Sequence, residues 1–170
     1  MIRANFTEDI VDIIMSCVST VSTEILFNGE ALEPIYLLRG IRQGGPLSPY
    51  LLILYMEFLG QFIQEKCHAN LWQPMKVSQN GPAFSHMFFA DDLVLFARAD
   101  AINCSIIRDV LDDFCKMSGQ TVSEAKSRVF FSPNVDRDSR ESFCDILGFH
   151  STPSLGKYLG FPIRDTGSSS

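Results

Sequence analysis

Two adjacent carboxylates, Asp91 and Asp92, interrupt a run of aromatic and aliphatic residues near the middle of the chain. Like charges repel and burying either one alone is costly, so the pair needs contact with water or with a cation. The flanking runs, Phe84–Ala90 and Leu93–Ala97, are rich in residues typical of strands. This spacing predicts a β-hairpin with the acidic pair at its tip.

The acidic pair has two interpretations. Asp is a common turn residue, so an ordinary turn is one of them. The apolar flanks favour the other, in which a rigid hairpin holds Asp91 and Asp92 as ligands of a divalent cation. Oxygen-only ligands indicate Mg²⁺ or Mn²⁺ rather than zinc. Two such cations can catalyse phosphoryl transfer, because one activates a hydroxyl and the other stabilises the leaving phosphate.

A glycine-rich stretch, residues 39–49, forms a second candidate site. Its glycines do not match the spacing of a phosphate-binding P-loop, and a tight structural connection is an equally good interpretation. However, Gln43 and the two glycines after it leave the backbone open to a flat ligand, while Arg39 and Arg42 add positive charge. No acidic residue occurs from position 34 to position 50 in an otherwise acidic chain. This local charge favours a phosphate-bearing partner.

The rest of the chain alternates helical and strand-like patterns. Apolar residues recur at helical spacing in two segments, a third segment is apolar on most of a helix circumference, and a fourth is a weaker helix. Gly119 and Gly148 follow two of these segments as helix stops. Asn-Gly at 28–29 is a hairpin signal. The predicted helices are 10–21 (capped by Thr7), 49–66, 102–115 and 137–147, and the predicted strands outside the hairpins are 72–77, 129–131 and 158–163. We therefore predict a single α+β domain over 1–163 and a flexible tail over 164–170.

Composition excludes several classes of protein. The 170 residues carry a net charge of −6, with a pI near 5.0, which argues against a freestanding nucleic-acid binder held by its overall charge. The five cysteines form no C-x-x-C pair, which fits neither a disulfide framework nor a zinc site and favours an intracellular setting. Neither a signal peptide nor an apolar stretch long enough to span a membrane is visible.

Four stretches, in this order and at this spacing, resemble the reverse transcriptase domain of non-LTR (LINE-type) retrotransposons, particularly those of plants. The stretches are 39–50, 88–96, 118–127 and 157–163. The resemblance covers nearly the whole chain and implies the palm of a right-hand polymerase with part of the fingers, an antiparallel sheet backed by helices. It also implies an RNA-directed DNA polymerase that joins dNTPs to a primer 3′ end, with RNA template and DNA primer as partners and the nucleus as its location.

The resemblance assigns roles to individual residues. Asp91 and Asp92 would be the catalytic metal ligands, for Mg²⁺ (or Mn²⁺). Lys126 would assist departure of the leaving group, with a solvated surface lysine as the alternative. Residues 158–163 would grip the primer end, with simple core packing as the alternative. The residues expected to contact nucleotide or template are Arg39, Arg42, Gln43, Gly44, Phe89 and Ala90.

The chain also departs from the family pattern. Gly45 stands where the family usually has Asp, and Ser123 where it often has Asn. The first palm motif, with a further catalytic Asp, has no counterpart before Thr7, so we expect little or no polymerase activity from this chain alone. Exposed apolar faces left by missing polymerase segments would favour oligomers or aggregation. The alternatives are a non-catalytic RNA- or protein-binding remnant of a retrotransposon and, less favoured, another palm-like nucleotidyltransferase or cyclase.

Overall fold

A computed structural model of the protein describes residues 6–36, 44–76, 78, 80–90, 92–154 and 156–162. The chain divides into two compact units, Met1–Leu51 and Leu52–Ser170. Helices and short strands alternate in both, which confirms the predicted α+β class. None of the helices in the described ranges is both long enough and apolar enough to cross a membrane.

The helices and strands have the following bounds. The helices are α1 (Glu8–Ser19), α2 (Ser48–His68), α3 (Ala101–Ser118) and α4 (Arg137–Leu147). The strands are β1 (Ser22–Thr23), β2 (Leu26–Phe27), β3 (Glu30–Ala31), β4 (Ile35–Tyr36), β5 (Met75–Lys76), β6 (Ala83–Phe84), β7 (His86–Phe89), β8 (Asp92–Leu95), β9 (Arg128–Val129), β10 (His150–Ser151), β11 (Lys157–Tyr158) and β12 (Phe161–Pro162). The described strands pair two by two, antiparallel except for β9 and β10.

The first unit contains α1 and a hairpin. Thr7 precedes α1 as predicted, although its side chain makes no capping hydrogen bond, and no residue of α1 is buried. Strands β2 and β3 pair around Asn28 and Gly29, whose φ angles are +53° and +87°. Asn and Gly tolerate this left-handed backbone, so the predicted Asn-Gly turn is confirmed. Strands β1 and β4 pair beyond it, with Pro34 in the break between β3 and β4.

The second unit contains the hydrophobic core. Its centre is formed by buried side chains of α2, α3 and the segment after α2, namely Leu59, Ile63, Trp72, Val110 and Phe114. The indole Nε1 of Trp72 donates a hydrogen bond of 2.9 Å to the Phe96 carbonyl, so the polar N–H group of this buried side chain has a partner. Residues of β7 and β8 pack against the same cluster. The core therefore holds the acidic hairpin.

Helices α3 and α4 are both present, and Gly119 and Gly148 end them as the sequence predicts. Asp100 and Asp136 each precede a helix and accept a hydrogen bond from the backbone N–H three residues on, at 2.8 and 2.9 Å. Gly119 and Gly148 follow the helices with φ angles of +71° and +73°, where a glycine avoids strain. Arg108 of α3 donates to the carbonyl oxygen of the last residue of α4 at 3.0 Å and so joins the two helices.

Strand predictions outside the acidic hairpin were wrong in their bounds or form. The strand predicted at 129–131 is β9, which covers Arg128–Val129. Trp72 was expected to begin a strand, but its backbone N–H bonds the Lys66 carbonyl at the end of α2, and the strand is limited to Met75–Lys76. The segment from 158 onward was expected to be one strand. It is instead a hairpin, because Leu159 and Gly160 take left-handed φ angles of +52° and +83° and reverse the chain between β11 and β12.

Candidate functional site

The predicted acidic hairpin consists of β7 and β8. Its register pairs His86 with Leu95 and Phe89 with Asp92. Ala90 and Asp91 lie between the strands, and Asp91 is outside the described residues. The hairpin is therefore confirmed, but Asp92 is the first residue of β8 rather than a residue of the turn.

The two faces of this hairpin differ because side chains alternate along a strand and paired residues share a face. Phe88, Leu93 and Leu95 face the core cluster. Phe89 and Asp92 belong to the opposite face, and both are exposed, Phe89 by 56%. The Asp92 side chain makes no hydrogen bond or ion pair with any residue in the described part of the chain. A carboxylate in this position is available to a ligand from solution.

Ala90 takes an unusual backbone conformation at the hairpin tip. Its φ angle is +50°, in the left-handed region that costs a residue with a Cβ about 1–2 kcal/mol. The packed strands on either side hold the chain in this conformation. Leu159 takes the same conformation in the turn between β11 and β12, so at Ala90 it is accounted for by reversal of the chain between two paired strands.

At the other end of the hairpin, His86 packs against α2. Its ring stacks on Phe88 with 4.5 Å between ring centroids and 28° between the planes. Both rings lie over Gly60, where an added Cβ would be 3.4 Å from Phe88 Cε2 and 3.5 Å from His86 Nε2. Burial lowers the pKa of His86 from its ordinary value, while nearby Glu57 acts in the opposite direction.

The hydroxyl of Ser85 links His86 to the last turn of α2. Ser85 Oγ lies 3.0 Å from His86 Nδ1. Burial raises the pKa of the Cys67 thiol, and a hydrogen bond with Ser85 partly offsets this effect. Cys67 is one of five cysteines, all free thiols. This end of the hairpin is therefore fixed by polar as well as apolar contacts.

The glycine-rich loop is described only from Gly44 onward. Gly44 is exposed, has a φ angle of +79°, and has open space where a Cβ would stand. The backbone N–H of Ser48 donates to the Gly45 carbonyl at 3.1 Å, and α2 begins at Ser48. Arg39, Arg42 and Gln43 lie outside the described residues, so their contact with a nucleotide or template stays a prediction.

Lys126 lies in an exposed turn before β9. Its backbone N–H donates to the Ser123 carbonyl at 3.1 Å, and the N–H of Ser127 reaches the same oxygen at 2.9 Å. The lysine side chain makes no ion pair within the described ranges. It is a solvated cation on the surface, and its role at a leaving group stays a prediction.

The structure brings together Phe89, Ala90 and Asp92 at one end of the hairpin, whereas Lys126 lies on a separate turn. No group of three or more His, Cys, Asp or Glu side chains that could hold a metal occurs among the described residues. Sequence reasoning missed Gly60 and His86. The sequence contained signals for both. A lone glycine inside a helix often marks close packing, and His86 lies two residues before Phe88, so both side chains belong to the same face of the strand.

Comparison with known proteins identifies the family. Residues 3–163 match the family model of reverse transcriptase (RNA-dependent DNA polymerase). The chain is 39% identical over 67 residues to an uncharacterized mitochondrial protein of Arabidopsis thaliana, covering 39% of this chain and 55% of the relative.

Two longer relatives match over 92% of the chain. They are the retrovirus-related Pol polyproteins of the type-1 retrotransposable element R2 from Popillia japonica, 32% identical, and of the type-2 element R2DM from Drosophila melanogaster, 28% identical. The chain spans 26% and 15% of their lengths. The predicted resemblance is confirmed: this chain belongs to the reverse transcriptase (RNA-dependent DNA polymerase) family, of the non-LTR retrotransposon type.

Proposed function

We propose that the chain is the palm portion, with part of the fingers, of an enzyme that copies RNA into DNA by joining a dNTP to a primer 3′ hydroxyl. The observation that carries the proposal is the β7–β8 hairpin. It has one face on the core, an exposed Asp92 on the other face, and Asp91 in the link between its strands. The family match supports the reaction class.

The donor chemistry at the tip fits a divalent metal. Asp92 offers carboxylate oxygens to solvent, and Asp91 adds a second carboxylate next to it in the chain. Mg²⁺ commonly binds through one or two carboxylates together with substrate phosphates and water, so two aspartates are a sufficient protein contribution. Bound divalent ions would favour the ionised primer hydroxyl and neutralise charge on the phosphates.

Other residues would supply binding and a proton. Lys126 carries an ammonium group on an exposed turn and would donate its proton to the departing pyrophosphate. Arg39, Arg42, Gln43 and Gly44 would contact the nucleotide and template. Phe89 and Ala90 would line the same end of the hairpin as the carboxylates, where an exposed aromatic ring suits a base or a sugar.

A metal titration tests the acidic tip directly. We expect the purified 170-residue chain to bind Mn²⁺, followed by water-proton relaxation, and we expect Asp92→Asn to weaken binding by about tenfold or more. Asp109→Asn is the matched control, because it removes an exposed carboxylate from α3 and leaves the hairpin intact. Equal Mn²⁺ affinity in wild type and in the Asp92 variant would contradict the proposal.

Primer extension tests the reaction. If the carboxylates of the tip hold the catalytic metal, Asp91→Ala should abolish the extension of a DNA primer on RNA that the wild-type chain shows with Mn²⁺. RNA binding that survives loss of both aspartates, with no extension, would favour a non-catalytic remnant instead.

A further inference from the structure

We propose that Gly60 and His86 are positioning residues for the acidic hairpin. The stacked rings of His86 and Phe88 rest on α2 at Gly60, and this contact, called here the ring seat, sets the position of β7 and thereby of Asp92, which pairs with the last residue of that strand. The inference rests on the proposed function and deepens it, because Asp92 is a proposed metal ligand.

The ring seat depends on the small size of one helix residue. Gly60 is buried, and its missing side chain lets two flat rings lie close to the helix. The distances from a built Cβ, 3.4 Å to Phe88 and 3.5 Å to His86, are ordinary van der Waals contacts. A methyl group therefore fits, whereas a longer side chain would occupy the space of the rings.

His86 contributes more than a second aromatic surface. Its Nδ1 lies 3.0 Å from Ser85 Oγ, which restricts the orientation of the ring. Its Nε2 is the atom nearest to Gly60 on this side chain. The ring is therefore oriented by a hydrogen bond on one side and limited by the helix on the other. The Phe88 ring stacks on the His86 ring, so the position of His86 limits the position of Phe88.

The ring seat acts on the carboxylates through the strand ladder. Phe88 pairs with Leu93, and the next pair along the hairpin is Phe89 with Asp92. A displacement of Phe88 away from α2 would therefore move Phe89, the next residue of β7, relative to its partner Asp92. Leu93 and Leu95 hold β8 on the core, so the hairpin would twist.

The experiment compares two substitutions at one position in the full 170-residue chain. Gly60→Ala should leave Mn²⁺ affinity within about twofold of wild type, whereas Gly60→Leu should weaken it by about tenfold. His86→Ala provides an independent variant that adds no bulk, and it should weaken Mn²⁺ binding, whereas His86→Phe, which keeps a ring but loses the hydrogen bond with Ser85, should have an intermediate affinity. Thermal unfolding is measured on every variant, so that affinity is compared only between folded proteins.

An NMR readout separates this inference from the proposed function. Phe88 should shift the ring-proton resonances of His86 upfield in wild type and in Gly60→Ala, and Gly60→Leu should abolish that shift and move the Asp92 amide resonance. This result supports the ring seat even if the wild type binds no Mn²⁺, an outcome that would contradict only the proposed function. An Asp92 resonance and an Mn²⁺ affinity unchanged in folded Gly60→Leu and His86→Ala proteins would overturn the inference.

Discussion

The two units of the chain contain similar elements but differ in what those elements bury. Helix α1 of the first unit has no buried residue, and its Ile13 is 64% exposed. Helix α3 of the second unit buries five residues, including Val110 and Phe114. The hairpin of the first unit likewise exposes Leu26 by 74%, whereas the acidic hairpin packs one face on the core.

This difference shows that an amphipathic pattern and a packed face are separate properties. Apolar residues recur at helical spacing in α1 and in α3, and both segments are helical. Five residues of α3 are buried, whereas none of α1 is, and area removed from water is the quantity that stabilises the fold. We therefore expect substitutions in the second unit to have far larger effects than matched substitutions in the first.

The two units should differ most in the loss of unfolding free energy caused by alanine substitution at Trp72 and at Ile13. Trp72→Ala removes a side chain that is 1% exposed, together with its hydrogen bond to Phe96, and should lower the free energy of unfolding by about 3–5 kcal/mol. Ile13→Ala removes an exposed side chain and should change it by no more than about 0.5 kcal/mol. Urea unfolding followed by circular dichroism measures both values.

Trp72→Phe separates packing from hydrogen bonding at this position. The Phe ring keeps much of the volume but leaves the Phe96 carbonyl without its donor, so we expect a loss of about 1–3 kcal/mol. Equal losses for the Ala variants at positions 72 and 13 would remove the distinction between the two units.

Removing a helix cap should also lower the free energy of unfolding more in the second unit than in the first, although by less than the change at Trp72. Asp100 accepts hydrogen bonds from the backbone and side chain of Asn103 at the start of α3, whereas Thr7 makes no capping hydrogen bond at the start of α1. Asp100→Ala should cost about 1–2 kcal/mol, and Thr7→Ala close to zero. Asp100→Asn, which keeps the acceptor oxygen, is the control and should lose less than the Ala variant. A large loss in Thr7→Ala would contradict the assignment.

The parts of this fold that the sequence predicts are those marked by a local signal, such as a glycine or an Asn-Gly pair. Asn28-Gly29, Gly119 and Gly148 mark turns and helix ends through backbone conformation alone, and the structure confirms all three. The turn at Leu159 is not predicted, because a leucine with positive φ carries no local signal and Gly160 alone does not interrupt the strand pattern.

The candidate site was predicted to a similar extent and for the same reason. The acidic pair and its apolar flanks predict a hairpin from residues close in sequence, and the hairpin is present. The contact between His86 and Gly60 joins residues 26 positions apart, on a strand and on a helix. No periodic pattern encodes such a pairing, so the contact could be found only in three dimensions.

Substitutions at turn residues with left-handed φ angles should change the free energy of unfolding by about 0.5–1 kcal/mol. Leu159 and Asn28 both have left-handed φ angles, +52° and +53°, but only asparagine tolerates this conformation well. Leu159→Asn should stabilise the protein by about 0.5–1 kcal/mol, and Asn28→Leu should destabilise it by a similar amount. Urea unfolding of both variants measures these changes, and a destabilised Leu159→Asn protein would show that the exposed leucine makes a compensating contact.

The smallest expected effect is a pH dependence that belongs to the second unit. Burial lowers the pKa of His86 below its ordinary value of 6.5, with Glu57 opposing the shift. Because the folded protein favours the neutral ring, this contribution to stability is complete above pH 6.5 and is lost as the pH falls from 6.5 toward the lower pKa of the folded state. Unfolding free energies measured between pH 7.5 and pH 5 should therefore decline more steeply for wild type than for His86→Gln. Parallel pH profiles would show that the ring is as well solvated in the folded chain as in the unfolded one, and the contact with Gly60 would then not desolvate it.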